Sequence, residues 1–222
     1  MVNEESLIRR WQRGWAASRS LPEAEPVEHG LRIECGQPGR QVEVLALRAD
    51  REPGSVTRLA ALVAAERQTA WLTVPTDRPA ETEARITAAG LELLLRAESL
   101  MTTDLAQHPV HEPSSPYRLD VSTAGSVITA TLLAPDGDPA ARGQIGIVGT
   151  DAVADRIETA VGHRRRGLGS MVMSALARAA VAEGAQTGLL IASEDGRHLY
   201  ARLGWLHRMD VLIAKNTPSE EN

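Results

Sequence analysis

Arg164, Arg165, Arg166, Gly167, Leu168 and Gly169 bring three guanidinium groups and two glycines into six consecutive residues. They stand where a strand-like run gives way to a helix-like one. Glycines at such a point let backbone N–H groups converge on an anion at the helix N-terminus, where the macrodipole contributes about half a positive charge. The ligand this chemistry suits is a diphosphate. A dinucleotide-binding loop would read G-x-G-x-x-G and a nucleotide P-loop would end in Gly-Lys-Ser/Thr, and neither pattern is present. Taken alone, the loop also reads as a glycine turn with solvated arginines.

The elements around the loop must aim it. Residues 153–160 predict a strand feeding into the loop, and 171–182 a strong helix leaving it. Upstream, 126–133 (SVITATLL) and 144–148 predict two strands joined as a hairpin by the turn-rich PDGDP. Downstream, 187–192 predicts a buried strand, 197–203 a helix and 205–213 a last strand. The order is three strands, helix, strand, helix, strand. In the first half, Leu7, Ile8, Trp11 and Trp15 share one face of a helix. Strands are predicted over 42–47, 71–74 and 91–95, alternating with helices over 56–67 and 80–89, an α/β pattern. Between the halves, 107–116 (QHPVHEPSSP) carries three prolines and two serines and reads as an interdomain linker. The expected division is an N-terminal α/β domain over 1–106 and a second domain over 117–222. Residues 58–95 and 171–213 repeat the order helix, short strand, helix, glycine, strand, so the first half reads as a truncated copy of the second, without its glycine loop.

With these elements placed, residues 117–214 resemble the GNAT acetyltransferase superfamily. That family's loop is Arg or Gln, two residues, Gly, one residue, then Gly or Ala; here these are Arg164, Gly167 and Gly169. Its second landmark, a Tyr four residues before a Gly-aromatic pair, is matched by Tyr200, Gly204 and Trp205 in a chain with only two tyrosines. The segments WQRGWAASRS and DRIETAVGHRRRGLGSMVM also resemble actinobacterial members with an added N-terminal domain. The resemblance implies a mixed sheet flanked by helices in the second half, beside the smaller α/β N-terminal domain. It implies acetyl-CoA as co-substrate, its diphosphate held by the loop from Arg164 to Ser170, Leu168 included. The strand backbone through Ile157, Thr159 and Val161 would pair with the pantetheine arm. Val161 stands where many members carry Pro, a change that removes a bend but no amide donor. Ser193 stands where the family often has Asn, and a similar cofactor contact is expected of it.

Acetyl transfer to an amine needs a neutral nitrogen. An alkylammonium of pKa about 10.4 is about 3.4 units from neutral at pH 7, a cost of roughly 4.6 kcal/mol. The strand before the loop can supply the base, because alternate side chains there face the cleft. Asp155 is the first choice, at a position where some family members carry a base. Glu158, on the opposite parity of a regular strand, is the second, and Asp151 the third. An ion pair with a neighbouring arginine is the structural alternative for Asp155. The family match assigns Tyr200 the proton for the departing thiolate, since a phenol of pKa about 10 is protonated at neutral pH.

Composition bounds the remaining classes. The net charge of −5 argues against a protein that coats nucleic acid. The single cysteine, Cys35, excludes an intrachain disulfide. No signal peptide or span of eighteen apolar residues is present, so a cytoplasmic protein is expected, with no membrane partner and no metal. The leading expectation is an N-acetyltransferase acting on a small-molecule amine by direct attack. A non-catalytic acyl-CoA-binding module is the alternative. Acceptor identity and oligomeric state are not encoded in any motif found.

Overall fold

A computed structural model describes residues 3–217. The elements in chain order are α1 (Glu4–Arg19), β1 (Glu25–Val27), β2 (Gly30–Gln37), β3 (Arg40–Ala46), α2 (Gly54–Ala65), β4 (Ala70–Thr76), α3 (Pro79–Ala88), β5 (Glu92–Asp104), β6 (Arg118–Ala124), β7 (Val127–Leu133), β8 (Pro139–Val148), β9 (Asp151–Thr159), α4 (Leu168–Ala182), β10 (Thr187–Ala192), α5 (Glu194–Arg202) and β11 (Leu206–Lys215). This is the mixed α/β architecture expected from the sequence. Three strands were missed: β1 and β2, and β6, which is largely exposed and carries no buried alternation. Among the described residues no helix is long and apolar enough to cross a membrane.

The chain divides into two compact units. One comprises its described residues up to Arg9, Leu21–Leu100 and those from Arg208 on; the other comprises Arg10–Ser20 and Met101–His207. These limits differ from the expected 1–106 and 117–222, whose ends at 1–2 and 218–222 lie outside the described residues. The 107–116 stretch lies within the second unit, and most of β11 lies within the first. The reason is strand pairing: Asp210–Lys215 of β11 lies antiparallel to Trp71–Thr76 of β4. Such a ladder joins residues far apart in sequence, which local patterns do not report.

In the first unit the strands run in the order β1-β2-β3-β4-β11. Alternate residues Val42, Val44, Leu72, Val74 and Leu212 meet Val56, Leu59 and Val63 of α2 and Ile86 of α3 in an aliphatic core. In the second unit the order is β10-β9-β8-β7-β6, with β6 to β9 an antiparallel meander and β10 parallel to β9. Ile128, Ala130, Leu132, Ile145, Ala152 and Ala154 pack on Leu168, Val172, Met173 and Leu176 of α4. The absence of Phe is met by this small-on-aliphatic packing, with Tyr200 and Trp205 the large rings of the core.

Candidate functional site

On the sheet face opposite α4, the Arg10–Arg19 part of α1 lies close over β8 and β9. Gly14 and Gly146 permit it, since a Cβ on Gly14 would strike the Val153 side chain and one on Gly146 would strike the Gly14 carbonyl. Two ion pairs clamp the helix. The Arg10 guanidinium donates from Nε to Asp151 at 2.9 Å, and Arg19 donates from Nε and a terminal nitrogen to Asp155 at 2.7 and 2.8 Å. Ser18 Oγ adds a bond to Asp155 at 3.2 Å, and Gln144 donates to the Ser18 carbonyl at 2.6 Å. Trp15 stacks on Trp11 at 5.5 Å and underlies Arg19 at 5.4 Å.

Strand β9 is irregular where it matters. Gln144 of β8 faces Asp155 and Arg142 faces Glu158, so two residues of β9, Arg156 and Ile157, are set against Gly143 alone. Arg156 has φ +54°, and the extra residue makes a β-bulge. Its effect is to exchange the faces. Val153 and Asp155 face α1, whereas Ile157 reaches Gly143, Val172 and Leu176 on the α4 side. Glu158 therefore shares the α1 face with Asp155, and the opposite parity expected of a regular strand does not hold. Glu158 is more than half exposed and bonds Arg142 at 2.9 Å through one oxygen.

The other edge of β9 opens. Its parallel ladder with β10 pairs Thr187 with Asp151, Gly188 with Ala152 and Leu189 with Val153, and the register goes no further. Beyond Val153 and Leu189 the two strands continue without pairing each other, leaving a split flanked by backbone donors and acceptors. Ile157, Thr159 and Val161 follow on the β9 side of it, and Val161, 77% exposed, begins a short 3-10 turn through His163.

The glycine loop closes the far end. Gly167, at φ +76°, is the N-cap of α4 and brings no side-chain cap, so the first amides of α4, at Leu168 and Gly169, have no cap acceptor and no intrahelical partner. This left-handed backbone favours glycine at Gly167 and would strain a residue with a side chain. At Gly169 a Cβ would come within 3.0 Å of Leu199 of α5. Ser170 returns its N–H to Gly167 O at 3.0 Å. The residues present fit an anionic diphosphate: bare helix-terminal amides, no acidic side chain within the loop, and three nearby arginines. Of these, Arg164 reaches back to the Thr159 carbonyl at 3.4 Å, Arg166 donates to the Tyr117 hydroxyl at 3.0 Å, and Arg165 is exposed with φ +63°.

Tyr200 lies on α5, just after β10, with 8% of its surface exposed. Burial, and after it the negative charge of Asp155, push its phenol up to about 12. Tyr200 and Asp155 are thus close enough for one charge to act on the other. Ser193 is the N-cap of α5, its Oγ accepting from Gly196 N at 3.2 Å, a bond that defines the start of that helix. Arg10, Ser18, Arg19 and Tyr117 were not singled out from sequence. Their partners lie 46 to 141 residues away, and no spacing rule connects such pairs.

Residues 152–219 match the family model described as FR47-like protein. No curated protein matches the chain by sequence. Among solved structures, the chain is similar to a GCN5-related N-acetyltransferase from Kribbella flavida, with TM-score 0.71 and 14% identity over 96% of this chain and 95% of that one. A GCN5-related N-acetyltransferase from Sphaerobacter thermophilus gives 0.59 and 12% over 85% and 76%. A tandem GNAT protein from the clavulanic acid biosynthesis pathway gives 0.57 and 16% over 86% and 80%. The chain has the GNAT fold.

Proposed function

We propose that this protein is a cytoplasmic N-acetyltransferase that passes an acetyl group from acetyl-CoA to a primary amine of a small molecule by direct attack. The observation that carries the reading is the end of the β9–β10 ladder at Val153 and Leu189, just before Asp155 on β9, in the unit that also carries the uncapped N-terminus of α4. Acetyl-CoA, when bound, supplies an activated thioester. The amides of Gly167, Leu168 and Gly169 hold its diphosphate, with the Ser170 hydroxyl beside them, and the β9 backbone beside Ile157 and Thr159 accompanies its pantetheine arm.

Tyr200 keeps its proton throughout the neutral range and donates a hydrogen bond to sulfur as the thiolate leaves. Asp155 receives the acceptor's proton. A carboxylate has about four acceptor positions; Arg19 uses two, and the Ser18 hydroxyl, whose one proton is shared with the Trp15 carbonyl at 2.8 Å, lies against a third on Oδ2, which leaves one on Oδ1 for a substrate ammonium. Arg19 holds that oxygen in place. Under this proposal the unit containing β1 to β4 is a degenerate GNAT-like copy.

The engagement of both Asp155 oxygens also favours a second reading, a non-catalytic acyl-CoA-binding module. A panel of amines incubated with acetyl-CoA, reading free thiol, separates the two. Release above the buffer rate with at least one amine is expected. Tight acetyl-CoA binding with no release for any amine would replace the enzyme with the binder.

A further inference from the structure

The 107–116 stretch and the residue that follows it run along α4 instead of spanning solvent. Glu112 pairs with Arg178 at 2.8 Å near the C-terminal end of that helix. His111 N donates to the buried Ser174 Oγ at 2.9 Å, one turn earlier. Tyr117 then reaches the loop that precedes the helix. Its hydroxyl lies 3.0 Å from His163 Nδ1 and accepts from Arg166 at 3.0 Å, and its ring meets the His163 ring edge-on at 5.7 Å.

One phenol therefore ties together both ends of the glycine loop. His163 ends the 3-10 turn on the β9 side, and Arg166 immediately precedes Gly167, the N-cap of α4. Between them the backbone passes through Arg165 at φ +63°, a left-handed conformation that a side-chain-bearing residue enters at a cost. A bridged phenol is placed to hold that conformation. It also holds Arg166 by its hydroxyl bond.

Resting on the acyltransferase reading above, we propose that Tyr117 is a positioning residue for the coenzyme's diphosphate: its His163–Tyr117–Arg166 bridge fixes the loop that presents the α4 amides. The ligand group it serves is the diphosphate alone, because the bridge touches neither the β9–β10 split nor Tyr200. Nothing in the loop's sequence announces this role, since Tyr117 is 46 residues from His163.

The test is Tyr117→Phe in the full chain, which keeps the ring and removes both hydrogen bonds. Binding is measured by calorimetry for acetyl-CoA and for S-acetylpantetheine, which lacks the diphosphate. The expected result is an acetyl-CoA Kd raised about tenfold or more by the loss of both bonds, with S-acetylpantetheine affinity within twofold of wild type. In turnover, KM for acetyl-CoA rises while kcat at saturation is kept. His163→Leu, which removes one end of the bridge, moves the same quantities in the same direction and serves if Tyr117→Phe does not fold. Equal losses for both ligands, or an unchanged acetyl-CoA Kd, overturns the positioning role while leaving the loop as the coenzyme site. Failure of the wild type to bind acetyl-CoA overturns the underlying reading and this inference with it.

Discussion

Replacing Tyr200 by Phe tests the chemical half of the proposal, and its size follows from the phenol's surroundings. The phenol sits at about 12, raised by burial and by Asp155. A thiol has an ordinary pKa of about 8.5, so handing a proton outright from this phenol to a departing thiolate is uphill by about 3.5 units, or roughly 5 kcal/mol. Tyr200 therefore works by donating a hydrogen bond to the charge growing on sulfur, not by losing its proton. A hydrogen bond to a charged group is worth about 1.5–3 kcal/mol, which is about 10- to 150-fold in rate. Phe keeps the ring contact with Trp205 at 6.0 Å. The expected variant has kcat lowered by that factor and an acetyl-CoA Kd within twofold of wild type, read by thiol release and by calorimetry with the amine that the panel identifies. The wild-type pH profile should show no fall owed to Tyr200 below about pH 11. A wild-type kcat in the variant would refute the role. So would a descending limb near pH 10 that vanishes on substitution, because it would mean that the phenol titrates like an exposed one.

Three further outcomes are expected. Gly169→Asp places a carboxylate in the first turn of α4, where it suits the macrodipole and keeps the helix folded, but it crowds Leu199 and repels the diphosphate; acetyl-CoA affinity should fall at least about tenfold by calorimetry with melting temperature preserved. Asp155→Asn should lower kcat by about 10²-fold or more and also cost stability, because Arg19, 16% exposed at its side chain, loses its charge partner, whereas Glu158→Gln, at an exposed pair, should leave both nearly unchanged; the reverse ranking in kcat would move the base to Glu158. Glu98, pushed up to about 7 chiefly by burial, holds its proton in the folded state to higher pH than when unfolded, so folding stability falls as pH rises from about 4.5 to about 7. Glu98→Gln should then gain up to about 3 kcal/mol at pH 8 and nothing at pH 4 in urea titrations, and equal effects at both pH values would contradict the assignment.

The parts of the molecule legible in the sequence are those set by local rules. The helix after the glycine loop begins at Leu168, three residues before the predicted 171, and the hairpin at PDGDP is present as β7 and β8. Strands β7 and β10 were found because their buried residues alternate or run continuously. Strand β6 escapes the sequence reading for the converse reason: it is exposed on nearly every residue and stands at the sheet edge beside β7, so its sequence carries no burial signal. The proline-rich 107–116 stretch was read as a linker from composition alone. Proline and serine do report the absence of regular structure, but they say nothing of whether the segment packs, and here His111 and Glu112 are bonded to α4.

At the site the same division holds, with one addition that bears on mechanism. The loop glycines and Tyr200 could be recognised by spacing, since each acts within a few residues of its neighbours. The orientation of the carboxylates could not, because a strand's parity predicts faces only while its register is unbroken. One extra residue at Arg156 reverses every side chain beyond it. A regular β9 would have pointed Ile157 toward α1 and Glu158 toward α4, where a charge has no partner among Val172, Leu176 and their neighbours. The bulge removes that conflict: it seals the α4 face with Ile157, keeps Asp155 under Arg19, and turns Glu158 to solvent beside Arg142. Removing Arg156 should therefore be tolerated, with little loss of stability in urea titrations, because Ile157 would then follow Asp155 directly and regular alternation keeps Ile157 toward α4 and Glu158 beside Arg142. A large loss would refute this account of the bulge, since only a strand straightened with Arg156 still present drives Glu158 into the aliphatic core.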